Sequence, residues 1–308
     1  MLIAFALQLP PAAAAPVASL AAAAARLASG DAAGARDAYE ALLAQAPNDP
    51  AAQAGEVRSS EQLALSARAG GDLPAALSDL TRAQHFAPGN TRLLYDLAVL
   101  DQQMGRLDAA NSIAGQLRAL HPDDPAVLYL SGHVELDLAQ YPAAEKDLRA
   151  YLALRPTDAS AHYGLGHLLM MEQRLPEARD EFEQSIKLQP VQTESFYQLG
   201  QIATDLHHDS EAKPFLERTL ARDPKHGGAL TCMGVLSYRA RDFAQARKWL
   251  SAAVESAPGY QPAHYYLGLT LNRLGDHDAS THELAEATRL STGQHSAPLP
   301  EPSADFAP

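Results

Sequence analysis

Several residue types are scarce in this 308-residue chain, and each scarcity excludes a class of protein. Cys232 is the single cysteine, so no disulfide can form within the chain and the redox compartment stays open. Basic residues are outnumbered, with 24 Lys and Arg against 37 Asp and Glu and a formal net charge of -13. Because this charge repels polyanions, nucleic acid and anionic lipid are not expected partners. No run of about eighteen strongly apolar residues is present, so no membrane span is expected.

The N-terminus leaves more than one interpretation open. Residues 2–7 form a short apolar run, and an Ala tract that ends at Pro16 offers a small-residue cleavage site. A signal peptide ordinarily begins with Lys or Arg, and none precedes Arg26. Residues 1–15 are therefore expected to be an Ala/Pro leader, a misplaced start or a signal segment. A cytoplasmic location is slightly favoured, and an exported or periplasmic one stays open.

Prolines recur with a constant period through most of the chain. When each is placed at position 32 of a 34-residue unit, the last unit has Thr292 in its place. An Ala-rich unit fits residues 16–49, and the seven residues 50–56 are predicted to lengthen a helix by about two turns. The prolines are Pro88, Pro122, Pro156, Pro190, Pro224 and Pro258; the units are 16–49, 57–90, 91–124, 125–158, 159–192, 193–226, 227–260 and 261–294.

Two positions of the unit carry only small residues, which predicts that two helices cross closely there. A larger side chain at such a crossing would be overpacked, and glycine recurs although it lowers helix propensity. Position 8 carries Ala23, Ala64, Ala98, Gly132, Gly166, Gly200, Gly234 and Gly268; position 20 carries Ala35, Ala76, Ala110, Ala144, Ala178, Ala212, Ala246 and Ser280.

Apolar residues around these positions have a helical period, so each unit is predicted to be a helical hairpin. Pro74, Pro142 and Pro176 all fall at position 18, where they suit the first turn of the second helix, because a proline at the first helical position loses no intrahelical bond. The proline at position 32 is then expected to end that helix.

These residues resemble the tetratricopeptide repeat family, a 34-residue helix-turn-helix with Gly or Ala at position 8, Ala at 20 and Pro at 32. The resemblance covers 16–49 and 57–294 and implies an all-α fold, an alpha-solenoid that forms a right-handed superhelix of about eight repeats. The units at both ends depart from the pattern, as terminal repeats commonly do. Position 4 carries His162 and His264 where the family commonly has a bulky aromatic. The chain from Ser291 onward is rich in Pro, Ser and Ala and is expected to be disordered, with residues 295–308 as the tail beyond the last unit.

The resemblance implies that the first helices line a concave groove. Positions 2, 5, 9 and 12 form one stripe on that side by helical geometry. The tyrosines at position 5 have two interpretations: packing between repeats, which is favoured, or contact with a partner through an apolar ring and a polar tip. The candidate partner-binding residues are Arg92, Tyr95, Tyr129, His133, Tyr163, His167, Met170, Tyr197, Gln201, Thr204, Tyr238, Tyr265 and Asn272.

Other candidates for chemistry are weaker. His133 and His167 share position 9 but are expected to lie one repeat apart, too far to ligate one zinc ion together. Cys232 has no evident partner base. The position-9 residues lack the Asn of the family's carboxylate clamps, and no phosphate loop, zinc-protease motif or nucleophile elbow is present. No metal, cofactor or catalytic residue is therefore predicted.

The sequence predicts a non-enzymatic scaffold that binds a protein or peptide segment in the groove of the repeats. The alternative is an assembly component of an envelope or secretion complex, engaged by the ends of the solenoid. Self-association through the C-terminal repeat is a further expectation, because no capping helix follows that repeat.

Overall fold

The computed structural model describes residues 19–293, which contain sixteen α-helices and no strand. This confirms the predicted all-α helical-repeat solenoid; the leader 1–15 and the tail 295–308 lie outside the described residues. The helices are α1 Leu20–Ala28, α2 Ala32–Leu43, α3 Pro50–Ala69, α4 Leu73–Phe86, α5 Thr91–Gln103, α6 Leu107–Leu120, α7 Pro125–Asp137, α8 Tyr141–Leu154, α9 Ala159–Met171, α10 Leu175–Leu188, α11 Thr193–Asp205, α12 Asp209–Arg222, α13 Gly227–Arg239, α14 Phe243–Ser256, α15 Gln261–Arg273 and α16 His277–Gly293.

The chain divides after Ala139 into two compact units, with α1 to α7 in the first and α8 to α16 in the second. Each unit is described by itself below. In both, first and second helices of the repeats alternate, and consecutive helices pack against each other.

Helix lengths follow the sequence register. The first helices α5, α7, α9, α11, α13 and α15 each have 13 residues, whereas α3 has 20. The seven inserted residues 50–56 therefore continue the helix at its N-terminal end. The second helices from α4 to α14 end two residues before the proline at position 32, and α16, with Thr292 at that position, continues to Gly293. The expectation that disorder begins at Ser291 was therefore wrong for residues 291–293.

The prolines at position 18 lie in the first turn of the second helix, as predicted. Pro74, Pro142 and Pro176 occupy the second helical position, because α4, α8 and α10 begin at Leu73, Tyr141 and Leu175. The physical reason for their tolerance is unchanged, since the first four N–H groups of a helix have no intrahelical acceptor.

In the second unit, the glycines at position 8 of α9, α11, α13 and α15 lie at helix crossings, as predicted. A Cβ atom placed on Gly166 would lie 2.9 Å from Phe182 Cε1 and 3.2 Å from the backbone oxygen of Ala178. Gly268 is approached as closely, and its carbonyl accepts a 2.8 Å hydrogen bond from the Ser280 hydroxyl. The absence of a side chain therefore lets paired helices approach each other.

The turn between the two helices of each repeat has one residue in the left-handed region, always at position 15. Four of these residues are glycine and four are not, although a Cβ atom is strained at such a φ. The residues are Gly30, Gly71, Gly105, Ala139, Gln173, His207, Arg241 and Gly275, with φ from 55° to 88°.

We expect Gln173→Gly to raise the free energy of unfolding by about 0.5 to 1 kcal/mol, because φ of Gln173 is 61° and its side chain is exposed. Urea denaturation followed by circular dichroism measures this. The reverse exchange Gly275→Gln, at φ 84°, is the matched control and is expected to destabilise. Two changes of the same sign would contradict the assignment of strain to this position.

The two histidines at position 4 connect repeats in the second unit. His162 Nδ1 lies 2.6 Å from Glu181 Oε2, and His162 Nε2 lies 3.2 Å from the carbonyl oxygen of Pro156. His264 repeats the arrangement with Glu283 at 2.7 Å and the Pro258 carbonyl at 2.9 Å. The hydrogen bond to Glu181 raises the pKa of His162, since only the protonated ring donates to both acceptors. These histidines take the place of an aromatic residue through polar contacts.

Candidate functional site

In the first unit, the candidate Arg92 is exposed but is already paired. Arg92 Nε lies 3.1 Å from Glu61 Oε1 at the start of α5, and the Glu61 side chain is largely buried. Burial raises the pKa of Glu61, and the nearby Arg92 opposes that rise. Arg92 therefore has a structural task in addition to any contact with a partner.

Tyr95 lies in α5 and Tyr129 in α7, two first helices of this unit, and both side chains are half-buried. Tyr95 packs against the core cluster that includes Leu94 and Val127, and burial raises the pKa of its phenol. The Tyr129 ring lies 4.3 Å from the His133 ring, one turn along α7. These tyrosines thus contribute to packing and keep part of each ring at the surface.

In the second unit, Tyr163 is mainly a packing residue. Its ring centroid lies 5.7 Å from that of Phe182 and 6.3 Å from that of His167, and its hydroxyl hydrogen-bonds to Gln198. Burial raises the pKa of Tyr163 to about 12. The ring therefore joins neighbouring helices of two repeats.

Tyr197 packs between repeats in the same way. Its ring lies 4.4 Å from the His226 ring, and its hydroxyl hydrogen-bonds to that of Tyr260. A Cβ atom on Gly228 would lie 2.5 Å from the Tyr197 hydroxyl oxygen, so a glycine in α13 makes room for the ring. Desolvation raises the pKa of Tyr197 well above its ordinary value. The packing interpretation of position 5 therefore describes both tyrosines.

Thr204 differs from the other candidates because it is buried, with 3% of its surface exposed. Its hydroxyl donates to the Gly200 carbonyl at 2.7 Å and hydrogen-bonds to the Cys232 thiol. As the surface stands, Thr204 is not accessible to a partner.

Burial raises the pKa of Cys232 to about 12, and the thiolate is the reactive form of cysteine. Cys232 is therefore a core residue.

The accessible candidates of the second unit lie on its first helices. Tyr265 in α15 is 43% exposed, Asn272 is exposed, and Met170, His167 and Gln201 are half-buried. The Asn272 Oδ1 atom lies 3.0 Å from His277 Nδ1. We call the exposed surface of α9, α11, α13 and α15 that carries positions 5, 9 and 12 the first-helix face. It offers an aromatic ring and amide groups to a ligand.

The structure adds a cleft that the sequence reasoning missed. A cavity of about 290 Å³ lies at the turn between α13 and α14, the two helices of one repeat. It is lined by Tyr238, Arg239, Arg241, Phe243 and Arg273. Only Tyr238 was a candidate, because the predicted stripe did not include the turn positions. The signal in the sequence was three arginines at or next to the turns of two consecutive repeats in an acidic chain.

Two further observations concern residues 19–293. Within this range, no three His, Cys, Asp or Glu side chains converge as metal ligands would. None of the sixteen helices in the same range combines the length and the apolar character that crossing a membrane requires.

Comparison with known proteins places these features in context. Tetratricopeptide repeat models match residues 67–133, 129–192, 197–261 and 234–294. No curated protein sequence matches the chain.

Solved structures are similar in fold. A tetratricopeptide repeat protein from Parabacteroides merdae ATCC 43184 aligns with a TM-score of 0.61 at 14% identity, over 78% of this chain and 94% of that one. Pseudomonas aeruginosa pilF aligns with a TM-score of 0.58 at 17% identity, over 67% of this chain and 93% of that one. PilW, a type IV pilus biogenesis factor, gives 0.57 at 14% identity, over 65% and 93%. Identities this low show a shared fold alone.

Proposed function

Because the chain belongs to the tetratricopeptide repeat family, we propose that it is a non-enzymatic scaffold whose first-helix face binds a segment of another protein. Repeats of this family are in general protein-interaction scaffolds. Stacked repeats provide an extended surface on which an elongated or helical ligand can lie.

The observation that carries the proposal is that some side chains of the first-helix face pack between repeats, whereas others are exposed and available to a ligand. Tyr163 and Tyr197 are engaged between repeats, whereas Tyr265 is 43% exposed. The Gln201 side chain forms no hydrogen bond with any residue in the described range. A rigid aromatic ring and an amide with unused hydrogen-bonding capacity are favourable contacts for a peptide. The packed Tyr163 and Tyr197 stabilise the stacking of the first helices, and these helices carry Gln201 and Tyr265.

The buried chemical groups support a non-enzymatic role. Cys232 has a pKa of about 12, and Thr204 is bonded to the Gly200 carbonyl. The His162 ring is engaged by Glu181 and by the Pro156 carbonyl. Each of these groups stabilises the repeats. Self-association through the last repeat stays a prediction.

The test uses the double variant Gln201→Ala with Tyr265→Ala. We expect at least a tenfold loss of the partner captured from lysate of the native cell, which corresponds to about 1.4 kcal/mol of binding free energy. Capture is measured by quantitative mass spectrometry with the full chain immobilised. Circular dichroism is expected to stay unchanged, because neither side chain is in the core.

The control is Leu154→Ala with Val191→Ala, two exposed apolar residues away from the first-helix face, at 52% and 65% exposure. It is expected to retain full capture. Equal capture by both double variants would place the binding site elsewhere, as the alternative of an assembly component engaged by its ends requires. Loss of capture in both would indicate non-specific binding.

A further inference from the structure

The cleft at the turn between α13 and α14 combines positive charge with aromatic surface. Tyr238 and Phe243 lie with ring centroids 5.5 Å apart in an edge-to-face arrangement. Arg239, Arg241 and Arg273 complete the lining of about 290 Å³. Three guanidinium groups around one cavity repel one another, and their convergence is unexpected in a chain that has only 24 Lys and Arg against 37 Asp and Glu.

The three arginines differ in how they are used. Arg239 Nη1 donates to Asp209 at 2.8 Å and to the Thr204 carbonyl at 2.7 Å, and its side chain is 24% exposed. Arg241 and Arg273 are exposed, and the side chain of neither forms an ion pair or hydrogen bond with residues in the described range. One arginine is therefore fixed by the fold, and two have donors available for a ligand.

Within the described residues, no acidic side chain forms an ion pair with either of these two arginines. Asp242 accepts from the backbone N–H of Gln245 at 3.0 Å, and Asp276 accepts from that of Ala279 at 3.4 Å, each as a helix cap. Asp209 pairs with Arg239. Burial raises the pKa of Asp205, and Arg239 opposes the rise. The positive charge of Arg241 and Arg273 thus remains exposed at the cleft.

The backbone at Arg241 lies in the left-handed region, with a φ of 60°. Four other repeats have glycine at this turn position, and three have Ala139, Gln173 and His207. The turn therefore accepts a side chain here, and in this repeat that side chain is an exposed guanidinium group beside the cleft.

We propose that this cleft binds an acidic peptide segment, with carboxylates held by Arg241 and Arg273 and an apolar side chain against Tyr238 and Phe243. Guanidinium groups bind carboxylates through paired, charge-assisted hydrogen bonds. Because the site adjoins the first-helix face through Tyr238, the inference rests on the proposed function and specifies the partner's chemistry.

A peptide is favoured over a nucleic acid by the extent of the charge. The cleft of about 290 Å³ is lined by three guanidinium groups, of which Arg239 is already paired, whereas nucleic acid binding requires several phosphate contacts along a strand. The overall charge of -13 repels a long polyanion. A short acidic segment is small enough to interact mainly with the positive charges of the cleft.

The test measures fluorescence anisotropy with the full chain and three fluorescein-labelled probes. The probes are a hexapeptide of alternating glutamate and tyrosine, the same peptide with lysine in place of glutamate, and hexathymidylate. Binding is expected for the glutamate peptide alone, weaker at about 0.15 M ionic strength than at low salt. The double variant Arg241→Gly with Arg273→Gln is expected to lower its affinity at least tenfold.

Two controls keep the result interpretable. Arg241→Gly relieves the left-handed strain, so the variant is expected to be at least as stable as the parent. Lys187→Gln with Lys225→Gln removes two exposed positive charges that lie outside α13, α14 and α15, and it is expected to leave affinity unchanged.

An equal loss in both charge variants, or no binding of the glutamate peptide, would overturn the inference. So would binding of hexathymidylate with equal affinity, because the cleft would then recognise polyanions in general. The proposed function is tested separately: Gln201→Ala with Tyr265→Ala is expected to lose native partner capture. That loss alongside an inactive cleft would leave the scaffold role standing.

Discussion

Gly234→Leu is expected to lower the free energy of unfolding by about 3 kcal/mol. A Cβ atom at Gly234 would lie 2.4 Å from Leu250 Cγ and 2.7 Å from Leu250 Cδ2. Leu250 is fully buried in α14, so it has no space into which to withdraw. The helix crossing must then open, and apolar contacts on both sides are lost. Urea denaturation followed by circular dichroism measures the change.

The matched control is Gly115→Leu in α6. No heavy atom outside its own helix neighbourhood lies within 4 Å of a Cβ atom placed on Gly115, and the residue is exposed. The same exchange is expected to stabilise by about 0.5 to 1 kcal/mol there, because glycine disfavours the helix. If both variants lost stability equally, the close crossing would not explain the glycine at position 8.

Glu56→Gln is expected to stabilise the protein by about 2 kcal/mol at pH 8 and to have little effect near pH 4.5. Glu56 is fully buried in α3; Ser60 donates to its Oε1 at 2.9 Å, and its Oε2 has no hydrogen-bond partner. Burial, opposed by the Ser60 hydrogen bond, raises its pKa from 4.5 to about 7. The Glu40 carboxylate adds to the rise, and Arg36 and Arg82 oppose it. Glutamine would place an amide group where the buried Oε2 has no hydrogen-bond partner, so the expected stabilisation is set below the full effect of such a shift.

The sign follows from which state binds the proton. Between pH 4.5 and about 7 the carboxyl of the unfolded chain ionises while that of the folded chain keeps its proton. The parent therefore loses stability as the pH rises through this window, and glutamine, which does not titrate, removes that loss. Denaturation curves across the window measure the difference between the two proteins. A constant difference would show that Glu56 does not ionise on unfolding.

The helical repeats were predictable because their determinants are local and periodic. A proline every 34 residues and small residues at positions 8 and 20 specify a hairpin and the point at which its helices cross. The lengthened α3 followed from the seven-residue insertion. What this insertion carries was not predictable: Glu56 becomes fully buried, because its surroundings are formed by more than one helix.

The candidate site was only partly predictable, for a similar reason. Position 5 identifies which tyrosines lie on the first helices, but exposure depends on the neighbouring repeat. Tyr197 packs where Gly228 leaves room, whereas Tyr265 is 43% exposed. The arginine cleft depends on which acids reach which guanidinium groups, and Asp209 reaches Arg239 alone of the three. Such pairings are properties of the assembled repeats.

At the turn of every described repeat, the residue at position 15 has the same left-handed backbone conformation whichever side chain it carries. Glycine, alanine, glutamine, histidine and arginine all occur there with φ between 55° and 88°. From α5 to α14 the first helices have 13 residues and the second helices 14, whether the turn residue is Gly105, Ala139, Gln173, His207 or Arg241. In these repeats the position can therefore mutate without a compensating change in the next. New ligand specificities can therefore evolve one repeat at a time, each at a roughly constant cost in folding free energy.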